Sequence, residues 1–251
     1  MISLQKKNVL VTGGSRGIGK ACVELFLKAG ANVAFTFQSA KNEADKVSSD
    51  YSGSLKLKHY KLNLADANDI EKVIEYVLKD FGSIDVLVNN AGIWKEAAID
   101  RMTLEEWNEM MNINLTSTYL ITKLIVPGMK KNKFGRIINI ASTAGQRGEA
   151  FHSHYAASKG GMISLTKSLA SELGQHNITV NCVAPGWVFT DMTTDSLADE
   201  KIFQKVLGDI PLNKVAQPEE IAGPVVFLAS QLASHITGEI LNVNGGSVLC
   251  G

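Results

Sequence analysis

The chain has 251 residues, 45% of them hydrophobic, enough to bury one large core; an α/β chain of this size is expected to form a single domain over 1–251. Lysine plus arginine and aspartate plus glutamate both number 25, so the formal net charge is zero, which argues against nucleic acid as a partner. Three widely spaced cysteines, Cys22, Cys182 and Cys250, with no C-x-x-C pair, argue against a disulfide framework and against a zinc site, and no metal is expected.

Residues 1–7 carry no signal-peptide core, and no apolar run is long enough to span a membrane, so the expected location is the cytoplasm and no membrane partner is expected. The apolar run Asn8–Thr12 predicts a buried first strand. A glycine-rich turn follows at once, Thr12-Gly13-Gly14-Ser15-Arg16-Gly17-Ile18-Gly19, and Ile18, Cys22, Leu25, Phe26 and Ala29 then recur at helical spacing up to Gly30. Backbone N–H groups at a helix start are unpaired and carry partial positive charge, so they bind phosphate. The spacing G-x-x-x-G-x-G therefore predicts that Gly13, Ser15, Arg16, Gly17, Ile18 and Gly19 cradle a dinucleotide, although a glycine turn alone can also be a tight strand–helix connection.

Asn32–Phe37 reads as the second strand. An acid at its end would bind a ribose 2′-hydroxyl, but the positions are Phe37, Gln38, Ser39 and Ala40, and the first acids, Glu43 and Asp45, fall in the following helix. With Arg16 able to reach the same pocket, the expected cofactor is NADP(H) rather than NAD. The stripe Ile70, Val73, Ile74, Val77, Leu78 and Phe81, closed by Gly82, predicts a third helix. A fourth strand, Val86–Val88, runs into Asn89-Asn90-Ala91-Gly92.

Thr103-Leu104-Glu105-Glu106 is a capping box that opens the fourth helix. Asn114 lies inside that helical stretch, where an amide competes with the backbone and marks a kink or a site. Lys130, Lys131, Lys133 and Arg136 form a basic cluster at its end. The strand Ile137–Ala141 ends on Ser142, at the carboxyl edge where open parallel sheets bind ligands; the serine can hold a substrate carbonyl or cap the next turn. Tyr155 and Lys159 are one helical turn apart and point the same way. A cation so placed, together with the positively charged nicotinamide of an oxidised cofactor, lowers a phenol from its usual value of about 10. His152 and His154 have no third ligand nearby and read as loop residues at the cleft mouth.

After a sixth strand and Pro185-Gly186, the pattern loosens between Thr190 and Gln217, where a substrate lid over 190–217 is expected. Gln217-Pro218-Glu219-Glu220 opens a late helix. The alternation of strands and helices predicts a doubly wound parallel sheet of the Rossmann type, about seven strands with helices on both faces.

From end to end the chain resembles the short-chain dehydrogenase/reductase family. The matching pieces are Thr12–Gly19, Asn63-Leu64, Asn89–Gly92, Asn114, Ser142, Tyr155 with Lys159, and Pro185-Gly186. Within the family it is most similar to the 3-oxoacyl-[acyl-carrier-protein] reductases, through runs such as Gly135–Ile140, Pro185–Met192, Ile236–Glu239 and Val243–Gly246. The resemblance implies an NADPH-dependent ketone reductase of fatty acid biosynthesis. Tyr155 would be the general acid, Lys159 would lower its pKa and bind the nicotinamide ribose, Ser142 would hydrogen-bond the carbonyl, and Asn114 would anchor a water leading from Lys159 to solvent. The resemblance extends cofactor contact to Gln38, Asn63, Leu64, Asn90, Ala91, Gly92, Pro185, Gly186, Val188 and Thr190. It implies a homotetramer built on the helices around 104–131 and 152–174. It also implies acyl carrier protein as a partner, met by basic residues near the site mouth. Lys130, Lys131, Lys133 and Arg136 would be one such region; Ser171 and His176 stand where those enzymes commonly carry arginines. Two other readings remain: a relative acting on a sugar, sterol or small diol, and a non-catalytic NADP sensor, against which the intact set of Asn114, Ser142, Tyr155 and Lys159 counts.

Overall fold

Seven strands lie side by side in the order β3-β2-β1-β4-β5-β6-β7, every neighbouring pair parallel. They are β1 (Asn8–Val11), β2 (Asn32–Phe37), β3 (Leu57–Lys61), β4 (Val86–Asn89), β5 (Gly135–Ile140), β6 (Ile178–Pro185) and β7 (Ile240–Val243). The structure is a computed structural model that describes residues 2–51, 53 and 55–249; Cys250 lies outside the described residues. The central strands are buried along their whole length, as a parallel sheet covered on both faces requires, and so they read as unbroken apolar runs.

The helices are α1 (Gly17–Lys28), α2 (Lys41–Ser49), α3 (Ala67–Phe81), α4 (Leu104–Met111), α5 (Ser117–Asn132), α6 (Thr143–Arg147), α7 (Ser153–Leu173), α8 (Thr194–Ala198), α9 (Glu200–Gly208) and α10 (Pro218–Ala229). One face of the sheet buries Val9, Val11 and Val33 with Phe26 of α1, Val47 of α2 and Val225 of α10. The other buries Leu10, Leu87 and Ile137 with Ile70 of α3, Ile125 of α5 and Leu173 of α7. From β1 the chain winds outward to β3 and then returns to β4 on the other side. The crevice beyond the carboxyl ends of β1 and β4 is thus the switch point where such folds take ligands.

Two sequence signals become visible geometry. Thr103 and Glu106 form the expected reciprocal cap on α4. The stretch around Asn114 is not one α-helix: residues Asn112–Thr116 form a π turn between α4 and α5. Hydroxyls support the irregular turn, with Ser117 Oγ donating to Ile113 O at 2.6 Å and Thr118 Oγ1 to Asn114 O at 3.2 Å.

A buried polar ladder crosses the middle of the sheet. Asn89 Nδ2 of β4 donates to Asn139 Oδ1 of β5 at 2.9 Å and to Thr122 Oγ1 of α5 at 3.3 Å, and Asn139 Nδ2 donates to Thr166 Oγ1 of α7 at 2.8 Å.

The structure corrects the basic cluster twice. Arg136 is buried, its Nη1 donating to the carbonyls of Gly135 and Asn177 and its guanidinium stacked 4.5 Å from the Phe134 ring centroid. A planar cation with aliphatic stem and aromatic partner can sit inside a strand that composition alone makes look surface-exposed. The three lysines stand where α5 ends and β5 begins, which is the amino edge of the sheet, opposite the crevice. Among the described residues, no helix is long and apolar enough to cross a membrane.

Candidate active site

The glycine turn sets the floor of a cleft of about 490 Å³. Gly17 has φ +53, a left-handed backbone that side chains resist, and a Cβ on Gly19 would lie 2.0 Å from the Gly13 carbonyl oxygen. Arg16, the N-cap of α1, makes no side-chain cap, so no side chain of its own satisfies the first-turn N–H groups of the helix. An uncapped helix start beneath a glycine bend is the donor set a pyrophosphate needs, and the residues fit a dinucleotide. Thr12 fastens this loop to the next strand: its Oγ1 accepts from the N–H of Asn90 at 2.9 Å and of Ala91 at 3.0 Å, and Asn90 Nδ2 donates to Thr12 O at 2.9 Å.

Beyond the switch point, β5 ends and Ser142 caps α6, accepting from Ala144 N–H at 3.1 Å. The bland reading of this serine is thus true, and the same hydroxyl also hydrogen-bonds Tyr155, pulling its phenol down. Tyr155 and Lys159 share one face of α7, as their spacing requires. The buried Lys159 Nζ donates to Ile140 O at 2.7 Å and stands 5.8 Å from the Tyr155 ring centroid.

Burial pushes the Tyr155 phenol up to about 12, outweighing the Ser142 hydrogen bond that pulls it down. Burial likewise pulls the Lys159 ammonium down to about 8. The lysine spends its hydrogen bond on a backbone carbonyl rather than on the phenol.

Asn114 is fully buried at the centre of the π turn. Its Oδ1 accepts from Ile93 N–H at 2.8 Å, while Nδ2 donates to Ile93 O at 3.0 Å and lies 3.2 Å from Ser158 Oγ. A Cβ on Gly92 would lie 3.0 Å from Asn114 Oδ1 and 3.5 Å from Lys159 Nζ, so the Asn89–Gly92 turn, the π turn and α7 meet at one point.

Gly13, Ser15, Arg16, Gly17, Ile18, Gly19, Gln38, Leu64, Asn90, Ala91, Gly92, Ser142, Tyr155, Lys159, Pro185, Gly186, Val188 and Thr190 all line the cleft. Asn63 does not line it. Its Oδ1 accepts from Ala65 N–H and its N–H donates to Asp69, so it shapes the turn after β3, while Leu62 and Leu64 reach the cleft. Of the two histidines, His152 precedes α7 as its N-cap, and only His154 is not a loop residue. His154 is buried in the first turn of α7, and buried His152 stacks flat on Trp94, with centroids 4.4 Å apart and planes at 2°. Burial and the nearby His152 lower the His154 pKa.

Sequence reasoning missed the wall opposite the glycine loop. Trp94 meets Trp187 edge to face at 6.1 Å, and both line the cleft with Arg147 and Glu149. Their positions carried a signal: Trp94 is two residues past Asn89–Gly92, and Trp187 directly follows Pro185-Gly186.

A family model described as enoyl-(acyl carrier protein) reductase matches residues 13–247. The chain is 43% identical over 248 residues to the 3-oxoacyl-[acyl-carrier-protein] reductase FabG of Aquifex aeolicus, covering 98% of both chains. It is also 43% identical over 245 residues to FabG of Escherichia coli, again covering 98% of both. Among solved structures it is similar to a putative NAD(P)-dependent gluconate 5-dehydrogenase from Beutenbergia cavernae with bound NADP, with a TM-score of 0.91 and 34% identity over 98% of each chain. A short-chain glucose/ribitol dehydrogenase from Brucella melitensis superposes with a TM-score of 0.92 at 32% identity over 99% of each chain.

Proposed function

The chain belongs to the short-chain dehydrogenase/reductase family, and on that premise we propose that it reduces a ketone to a secondary alcohol with NADPH, its substrate a 3-oxoacyl thioester on acyl carrier protein. One observation carries the reading: Ser142, Tyr155 and Lys159 line the same cleft as the uncapped glycine loop.

Bound NADPH supplies the hydride. Gly13, Ser15, Gly17, Ile18 and Gly19 would hold its pyrophosphate, Arg16 and Gln38 its adenine ribose, and Asn90, Ala91, Gly92, Pro185, Gly186, Val188 and Thr190 its nicotinamide half. Ser142 donates a hydrogen bond to the substrate carbonyl. Tyr155 protonates the oxygen as negative charge develops on it; burial alone would make the phenol a weaker acid, and the Ser142 hydrogen bond offsets part of that. Lys159 stabilises the phenolate that remains, a positive charge 5.8 Å from the ring in a low-dielectric site. Asn114 is a positioning residue: it fixes Ile93 and the turn at Gly92 against Lys159, and offers the remaining lone pair of Oδ1 to a water on the proton's route to solvent. Residues 190–217, with α8 and α9, act as a lid, the whole chain works as one domain, and four copies assemble through α4, α5 and α7 in the cytoplasm.

A second reading takes a sugar or polyol ketone. It is favoured by the aromatic wall of Trp94 and Trp187 with Arg147 and Glu149 at its rim. A panel of acyl thioesters, sugars and sterols decides between the two. Loss of NADPH absorbance on adding an acetoacetyl thioester supports the first reading; turnover confined to sugars replaces it with the second; cofactor binding with no turnover on any ketone leaves a sensor.

A further inference from the structure

We infer that Asp191 is a specificity-determining residue for the cofactor, because it competes with the 2′-phosphate for the guanidinium of Arg16. The inference rests on the NADP(H) reading above.

Arg16 has an extended backbone, with φ −153, and its side chain crosses the cleft: Nη1 lies 3.2 Å from Asp191 Oδ2, between residues 175 apart in sequence. The neighbouring residues are close as well: a Cβ on Gly17 would lie 3.2 Å from the Thr190 side chain at Cγ2. Arg16 also borders a second hollow, with Ser39, Lys41 and Asn42, just past the end of β2. The fold directs the ribose 2′ substituent to that place. The other cation there, Lys41, is likewise held by a carboxylate of the protein, Asp45 Oδ2 at 2.6 Å.

A phosphate takes a guanidinium through two parallel hydrogen bonds, and Asp191 holds one of the donors, Nη1. A 2′-phosphate that takes the edge carrying Nη1 has to displace Asp191, whereas a cofactor with a bare 2′-hydroxyl leaves the pair intact. The pair is well exposed on both sides, so the competition is modest, about two- to fivefold in affinity. Asp191 narrows the preference that Arg16 creates.

The test is fluorescence titration of NADPH and NADH into the full-length parent, Asp191→Asn, Arg16→Ala and the double variant, with circular dichroism to confirm folding. Asp191→Asn should tighten NADPH about two- to fivefold, move NADH less, and have no effect on NADPH once Arg16 is alanine. Asp191→Glu, which keeps the carboxylate, should bind like the parent. An unchanged NADPH affinity in Asp191→Asn overturns the proposal. So does an equal tightening in the Arg16→Ala background, which would mark general charge repulsion. If Arg16→Ala leaves the NADPH-to-NADH preference as it was, the assignment of Arg16 to the 2′-phosphate falls as well.

Discussion

Lys159 Nζ donates to the carbonyl oxygen of Ile140 at 2.7 Å, which pins α7 to the last residue of β5. Ser142 is two residues further on, and Tyr155 is one turn back along the helix. The distance between the two side chains that would meet the substrate carbonyl is thus governed by a buried ammonium–backbone bond beneath them.

Tyr155→Phe keeps the ring and removes the proton. The turnover rate should fall at least about 10²-fold, with NADPH affinity little changed. Steady-state kinetics with a fluorescence titration checks both, and near-full turnover in the variant would remove Tyr155 from its role.

Lys159→Ala should lose turnover and cofactor affinity together, because one cation serves both and also holds α7 to β5. Ser142→Ala should lose mainly turnover; its cap on α6 adds about 1 kcal/mol to the stability loss. Identical kcat and KM profiles in the two variants would show that the roles are not divided.

The same groups predict how stability follows pH. Folded Lys159 sits at about 8 against an ordinary 10.5, so between those values the unfolded chain holds a proton that the native state lacks. The lysine's contribution to stability therefore rises with pH across that window, and the buried charge costs about 3 kcal/mol below it. Tyr155, raised from 10.0 to about 12, works in the opposite direction, losing its contribution between those values. Cys22 and Cys182, raised by burial from 9.0 to about 12, act in the same direction as Tyr155 from pH 9 upward, so the urea midpoint of the parent should climb between pH 8 and 9 and turn over above that; Lys159→Met should start higher and climb less. A parent midpoint with no rise between pH 8 and 9, and no difference from Lys159→Met there, would show the ammonium to be solvated.

Gly19→Ala would put a Cβ 2.0 Å from a backbone oxygen, a clash that no rotamer relieves. The glycine turn must shift, and NADPH binding should weaken more than tenfold with a lower melting temperature. A variant that binds normally would show that the turn is plastic.

Because Lys130, Lys131 and Lys133 stand at the amino edge of the sheet, Lys133→Glu should leave activity on a short free thioester unchanged. If a carrier protein docks on these lysines, its thioester should lose activity with this variant and as salt rises. Equal responses of carrier-bound and free substrates would remove the lysines from recognition.

Periodicity made the sheet legible, because the buried strands are unbroken apolar runs and α7 carries Tyr155 and Lys159 at a spacing that has only one geometric meaning. What stayed hidden depends on contacts between distant segments. Nothing local to His152 announces a face-to-face stack on Trp94, and nothing in the run Gly135–Ile140 reveals that Arg136 points into the protein. Asn114 gave half its message: a poor helix former marked the spot, but the extra residue of a π turn follows from the Ser117 and Thr118 hydroxyls and from the Ile93 backbone it must reach. The upward push on the Tyr155 phenol is not legible in the sequence, because charge proximity is readable from spacing, whereas desolvation is a property of the packed interior.

The asparagine ladder between β4 and β5 has a consequence for assembly of the sheet. Val, Leu and Ile side chains on neighbouring strands would tolerate being paired one step out of alignment, since each is interchangeable with the next. Asn89 and Asn139 are not interchangeable with anything near them. A one-step misalignment would turn one amide away from the other and take from Thr122 and Thr166 their amide partners in the dry interior, leaving Thr166 only its bond to Met162 O. The ladder therefore works as a key that accepts one threading of the central strands, and it makes its rungs interdependent: an apolar replacement at Asn89 should be tolerated only alongside one at Asn139.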